Sequence, residues 1–175
     1  MKKAYIFRGP PASGKNTILK PFVRSLSNPA ALLELDVFRW DFHFWNLRVE
    51  DITEEYHHFA YHNFLRMVEE YARFGKFDLV LEGLFSWNIP SSQGAVSEIL
   101  PLLQRNGYSV TSILLTAEKE TLWYRNQRRE YVVPRAEFDL LYRHVMETVD
   151  PSEVVIDSTD QKIDQMIEIV QARLL

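Results

Sequence analysis

The chain alternates short apolar runs with longer stretches in which apolar residues recur every three to four positions. The runs Ala4–Arg8, Leu32–Asp36, Leu79–Glu82, Val110–Thr116 and Val154–Asp157 are rich in Leu, Ile or Val, as strands buried on both faces are. Between the second and third runs, Tyr56, Phe59, Ala60, Phe64, Met67, Tyr71 and Phe74 keep helical spacing up to Gly75. They predict one long helix with that stripe inward. Val96, Ile99, Leu100 and Leu103 predict another, kinked or restarted at Pro101. Phe138, Leu141, Tyr142, Val145 and Val149 mark a third, closed by Asp150-Pro151, and Ile163, Met166, Ile167, Val170 and Leu174 a last one. Strands alternating with helices predict a three-layer α/β fold, a parallel five-stranded sheet with helices on both faces.

Composition narrows this only a little. With 175 residues, 46% of them hydrophobic, residues 1–175 are expected to form a single domain. A formal net charge of −4 argues against a nucleic-acid partner held by bulk electrostatics. The absence of cysteine excludes thiolate metal sites, disulfides and cysteine nucleophiles. No apolar run is long enough to span a bilayer, and Lys2-Lys3 precede only a short strand, so a cytoplasmic protein is expected.

The chemistry is concentrated at the ends of the predicted strands. Gly9-Pro10-Pro11-Ala12-Ser13-Gly14-Lys15-Asn16-Thr17 fits G-x-x-x-x-G-K between a strand and a helix start. Such a loop points successive N–H groups at phosphate oxygens, with Lys15 reaching the terminal phosphates. All nine residues are therefore candidate nucleotide ligands, and ATP with Mg²⁺ the expected cofactors. The eighth position, a hydroxyl residue in the common form of the motif, is Asn16, and the hydroxyl follows at Thr17. Asn16 and Thr17 are thus expected to meet Mg²⁺ partly through water.

Asp36, at the end of the second strand, is placed to orient or deprotonate an acceptor hydroxyl, and Arg39, one turn on, to grip the acceptor. Glu82 closes Asp78-Leu79-Val80-Leu81-Glu82-Gly83, an apolar strand ending in an acid that holds the Mg²⁺ water shell. Asp78, at the opposite end of that strand, is expected to face solvent. After the fourth strand, Arg125 and Arg129 are expected to share a helix face with Arg128 beside them. The three would form an arginine lid over about residues 125–137, neutralising phosphoryl charge during transfer.

The order of these parts resembles the P-loop kinase superfamily. The loop and Asp36-Val37-Phe38-Arg39 are similar to adenylate kinases, whose loop also lacks the eighth-position hydroxyl. Val80-Leu81-Glu82-Gly83 looks more like zeta-toxin-type and small-metabolite kinases, where glutamate replaces aspartate. The resemblance implies that Asp157-Ser158-Thr159 lies near the adenine. Nucleotide kinases place an arginine after the strand-three glycine; here stand Leu84-Phe85-Ser86-Trp87, which argues against a nucleoside monophosphate acceptor.

Phe85 and Trp87 are expected at the acceptor, and Phe38, Trp40, Phe42, Phe44 and Trp45 crowd around Asp41 and His43 as a stacking surface or as core. His58 and His62 sit four residues apart but lack an evident third metal ligand. The sequence thus points to an ATP-dependent phosphotransferase acting on a hydroxyl of a small molecule. A nucleotide or nucleoside kinase, and a non-catalytic nucleotide-binding or toxin-like module under a protein partner, are the alternatives.

Overall fold

Strand β1 (Lys2–Arg8) shows why the sheet sits where it does. Tyr5 and Phe7 point to one face and Ala4, Ile6 and Arg8 to the other, and all five are buried, so β1 has no solvent side. The computed structural model describes residues 2–41, 45–48 and 51–175. Its element order is β1, α1 (Lys15–Ser25), β2 (Ala30–Glu34), α2 (Leu35–Trp40), α3 (Glu54–Phe74), β3 (Asp78–Gly83) and α4 (Val96–Arg105). Then follow β4 (Tyr108–Thr116), α5 (Lys119–Asn126), α6 (Arg135–Met146), β5 (Val154–Asp157) and α7 (Ile163–Leu174). The strands are all parallel in the order β2-β3-β1-β4-β5.

Ala4 and Ile6 join Phe64 and Val68 of α3 and Val96, Ile99 and Leu103 of α4 in one core layer. Tyr5 and Phe7 join Ile18, Leu19 and Phe22 of α1 and Met166 and Val170 of α7 in the other. The α/β three-layer expectation holds. Within α3 the buried face is Ala60, Tyr61, Phe64, Val68 and Ala72, while Phe59, Met67 and Phe74 of the predicted stripe are exposed. Aromatic size, counted as core in the sequence pattern, misplaced the stripe by about one position. Helix α4 runs through Pro101 without restarting.

Arg8 is one departure from an apolar core. Its guanidinium is fully buried and bidentate on buried Glu153, with Nε 2.6 Å from Oε1. It also donates to the carbonyls of Phe85, Val145 and Thr148, and Ser112 Oγ donates to Glu153. Removing two charges from water costs several kcal/mol per ion unless geometry repays it; here every guanidinium nitrogen has a partner. The pair ties the strand before the phosphate loop to the β3 exit, the end of α6 and the start of β5.

Asp78 corrects the expectation that it faces solvent. It is buried, and accepts hydrogen bonds from the Lys3 backbone N–H at 2.8 Å and from Asn28 Nδ2 at 3.1 Å. β2 ends at Glu34, so Asp36 lies in the first turn of α2, two residues past the strand.

Candidate active site

At the carboxyl ends of the strands, loops diverge from β1 and β3 and leave a cleft of about 1050 Å³, where open parallel sheets bind ligands. The loop after β1 forms one wall. Ala12 has φ 63° and Gly14 φ 94°, left-handed conformations that cost a side-chain-bearing residue such as Ala12 some strain. A Cβ on Gly9 would collide with the Leu115 carbonyl oxygen, so the loop's departure from β1 admits only glycine. Helix α1 then starts at Lys15 with no acidic residue in its first turn, so its positive end stays open to an anion.

Lys15 is buried. Its ammonium donates to the Gly9 carbonyl at 2.8 Å and lies 3.6 Å from Glu82 Oε1. Burial lowers its pKa, with Glu82 and Asp36 pulling the other way. Glu82, paired in register with Phe7 and Glu34, is pushed up to about 7 by burial, against the pull of Lys15. Its Oε2 is buried with no hydrogen-bond partner. A strand-end carboxylate with an unspent oxygen, on the lining of the same cleft as exposed Asn16 and Thr17, suits a hydrated Mg²⁺.

The opposite wall comes from α2 and α3. Asp36 is half exposed in the cleft, and Arg39 is buried, with Nη1 3.2 Å from Asp36 Oδ1 and Nη2 donating to the Ser92 carbonyl at 2.8 Å. Trp40 and His57 stand beside them, and burial with nearby Arg39 lowers the His57 pKa.

The structure separates the three lid arginines. Helix α5 ends at Asn126, so Arg129 lies beyond it and shares no helix face with Arg125. Arg125 lines the cleft with its guanidinium tied to Ser158 Oγ at 2.8 Å and the Ser158 carbonyl at 2.7 Å. Arg129 lines it too and is close enough to depress Lys15. Arg128, expected on the nucleotide, instead packs over the Tyr124 ring, 3.1 Å from its centroid, and is absent from the cleft wall. Fully buried Asn126, which no motif flagged, closes the base of the lid: its Nδ2 donates to the Val133 carbonyl and its Oδ1 accepts from the Val133 N–H.

The aromatic expectation for the acceptor is corrected. Phe85 is fully buried in the core against Phe64, and Trp87 packs on the same layer; neither lines the cleft. Gly83 and the turn after it send the ring inward, and Leu84 takes the wall position instead. Phe42, His43 and Phe44 lie outside the described residues. His57 and Gln93 were missed, since neither belongs to a motif; only the fold carries them to the wall. Gly9 and Pro10, also expected on the nucleotide, do not line the cleft, while Pro11 through Thr17 do.

The chain is similar in fold to many solved structures. A candidate kinase from Chloroflexus aurantiacus shares 18% identity at a TM-score of 0.71, covering 99% of this chain and 96% of that one. Shikimate kinase from Bacteroides thetaiotaomicron shares 17% at 0.62, covering 98% of each chain. The PezAT toxin–antitoxin structure from Streptococcus pneumoniae shares 18% at 0.63, covering 85% of this chain and 62% of that one. No curated protein sequence matches. The zeta toxin family profile matches residues 1–171. That match spans nearly the whole chain, and the protein belongs to the zeta toxin family, within the P-loop kinase superfamily of phosphotransferases.

Proposed function

We propose that this protein transfers the γ-phosphate of ATP to a hydroxyl of a small molecule. The observation that carries the reading is the buried, unpartnered Glu82 Oε2 in the same cleft as Lys15 and Asp36. Lys15 and the amides of Pro11–Thr17 that have an N–H would hold the β- and γ-phosphates, as a helix N-terminus favours anions. Glu82, with Asn16 and Thr17, would hold Mg²⁺ partly through water; when bound, the ion neutralises phosphate charge. Asp36 takes the proton of the acceptor hydroxyl as its oxygen bonds to the γ-phosphorus. The bond from that phosphorus to the β–γ bridging oxygen breaks, and ADP leaves. Arg129 stabilises the charge spread over the transferred group. Arg125, fixed to Ser158 and Thr159, shapes the wall for the base.

Lys15→Ala tests the whole reading. ADP formation should fall by at least about 10³-fold, because the charge on the terminal phosphates is lost where water is scarce, and circular dichroism should show an intact fold. Turnover within tenfold of the parent protein would sink the proposal.

A further inference from the structure

Three hydrogen bonds of the lid loop converge on Asn126, the last residue of α5. Its carbonyl accepts from the Arg129 N–H at 3.2 Å. Its side-chain Nδ2 donates to the Val133 carbonyl at 2.8 Å, and its Oδ1 accepts from the Val133 N–H at 3.2 Å. Asn126 is fully buried, and Val133 packs on the small cluster of Ala117, Leu122 and Phe138. Residues 127–132, between the two ends of this clasp, are all exposed. A dry clasp thus closes a wet loop, and Arg129 and Tyr131 of that loop line the cleft.

The two cleft arginines of the lid are held differently. Arg125 is fixed by its own guanidinium, through Ser158. Among the described residues no hydrogen bond or ion pair fixes the Arg129 guanidinium, which lies near enough to Lys15 to lower its pKa. Arg129 takes its position from the backbone that carries it, and Asn126 pins that backbone on both sides. An amide suits this role because its donor and acceptor lie side by side on one plane, matching the C=O and N–H of Val133.

We propose that Asn126 is a positioning residue for phosphoryl transfer, its clasp on Val133 holding the lid loop so that Arg129 meets the transferred group. The inference rests on the phosphotransfer reading. A guanidinium is worth most where charge spreads over the equatorial oxygens in transfer, and misplacing it by about 1 Å can cost about 10²-fold. Nucleotide in the ground state, held by Lys15 and the loop after β1, gains little from it. Asn126 therefore acts on the transition state, and only through Arg129.

The full chain is titrated calorimetrically, in Mg²⁺, with two probes. AMP-PNP resembles ATP before transfer, and ADP with aluminium fluoride carries a planar anion that resembles the group in transfer. Asn126→Asp keeps the size and the acceptor for the Val133 N–H, but turns a second acceptor on the Val133 carbonyl. It should weaken the aluminium fluoride complex about tenfold or more and change AMP-PNP affinity by less than about twofold. Arg129→Ala should weaken that complex at least as much. Adding Asn126→Asp to Arg129→Ala should cost less than about twofold further, since two residues that act through one contact are not additive. A residue that only stabilises the fold would weaken both probes alike, or add its full loss in the Arg129→Ala background. Either result overturns the proposal, as does an aluminium fluoride complex as tight in Asn126→Asp as in the parent protein. Should Asn126→Asp fail to fold, one glycine inserted between Glu130 and Tyr131 slackens the exposed loop outside the buried clasp and is read the same way. A parent protein that binds ADP no more tightly with aluminium fluoride than without it defeats the phosphotransfer reading itself, and this inference falls with it.

Discussion

The two halves of the cleft are built by different means. The half proposed for the nucleotide is made mostly of backbone: the left-handed turns at Ala12 and Gly14, the open end of α1, and carbonyls that fix Lys15 and Arg125. The half proposed for the acceptor is made of side chains from α2, α3 and the loop after β3, which meet only because the sheet brings those elements together. Backbone sites are written in contiguous residues and suit one invariant ligand. Side-chain sites are scattered along the chain, and each can change without disturbing the others. The contrast accounts for a phosphate loop that is plain to read beside an acceptor wall that is not.

The largest expected effect tests whether the halves act separately. Asp36→Asn should lower turnover about 10²–10⁴-fold, the usual cost of losing a general base, with AMP-PNP affinity changed less than about twofold. Loss of nucleotide binding in that variant would mean Asp36 supports the fold, and the division between the halves would fail.

The floor common to both halves is the Arg8–Glu153 pair. Glu153→Gln leaves the fully buried guanidinium uncompensated, which costs about 3–5 kcal/mol of stability. Urea unfolding checks this, and a loss under about 1 kcal/mol would show that the network is held by its backbone carbonyls alone.

A third experiment sharpens the role of Glu82 at the boundary. Its pKa in the folded, ligand-free protein lies above its ordinary 4.5, at about 7. Its contribution to stability is therefore complete below about 4.5 and is lost as pH rises through about 7. The melting temperature of the parent protein relative to Glu82→Gln should fall between pH 5 and pH 8. Binding of ATP with Mg²⁺ near pH 6.5 should release a proton, read as a dependence of calorimetric heat on buffer ionisation enthalpy. Equal proton release in Glu82→Gln would assign that proton elsewhere.

The smallest effect separates neighbouring arginines. Arg129→Ala should slow turnover by about 10–10³-fold through lost charge stabilisation. Arg128→Ala removes an exposed contact with Tyr124 and should cost less than about 0.5 kcal/mol of stability and leave turnover within about twofold. Equal losses would mean that the lid closes with both cations inward.

Much of the fold was legible because buried parallel strands are written as uninterrupted apolar runs; Val154–Asp157 is the strand as expected. The glycine-loop motif was legible for a related reason, since its geometry is local. Phe85 shows where that ends. Its spacing after Gly83 suggests a site residue, but a ring that large is worth more in the core with Phe64 than on a wet wall. Arg128 and Arg129 show the same at one-residue scale: whether α5 stops at Asn126 decides which of them meets the cleft, and the Asn126–Val133 hydrogen bonds are made across the lid.

By itself, then, the sequence determined the alternation of strands and helices, the phosphate loop and the acid near the end of β3, all properties of a few consecutive residues. Tertiary structure decided the rest. It buried Asp78 under Lys3 and Asn28, sealed Arg8 against Glu153 across 145 residues of chain, and tied Arg39 to the Ser92 carbonyl. Those placements depend on which side chains the packed sheet leaves without water. No local pattern records that, because desolvation belongs to the assembled core and not to the residue.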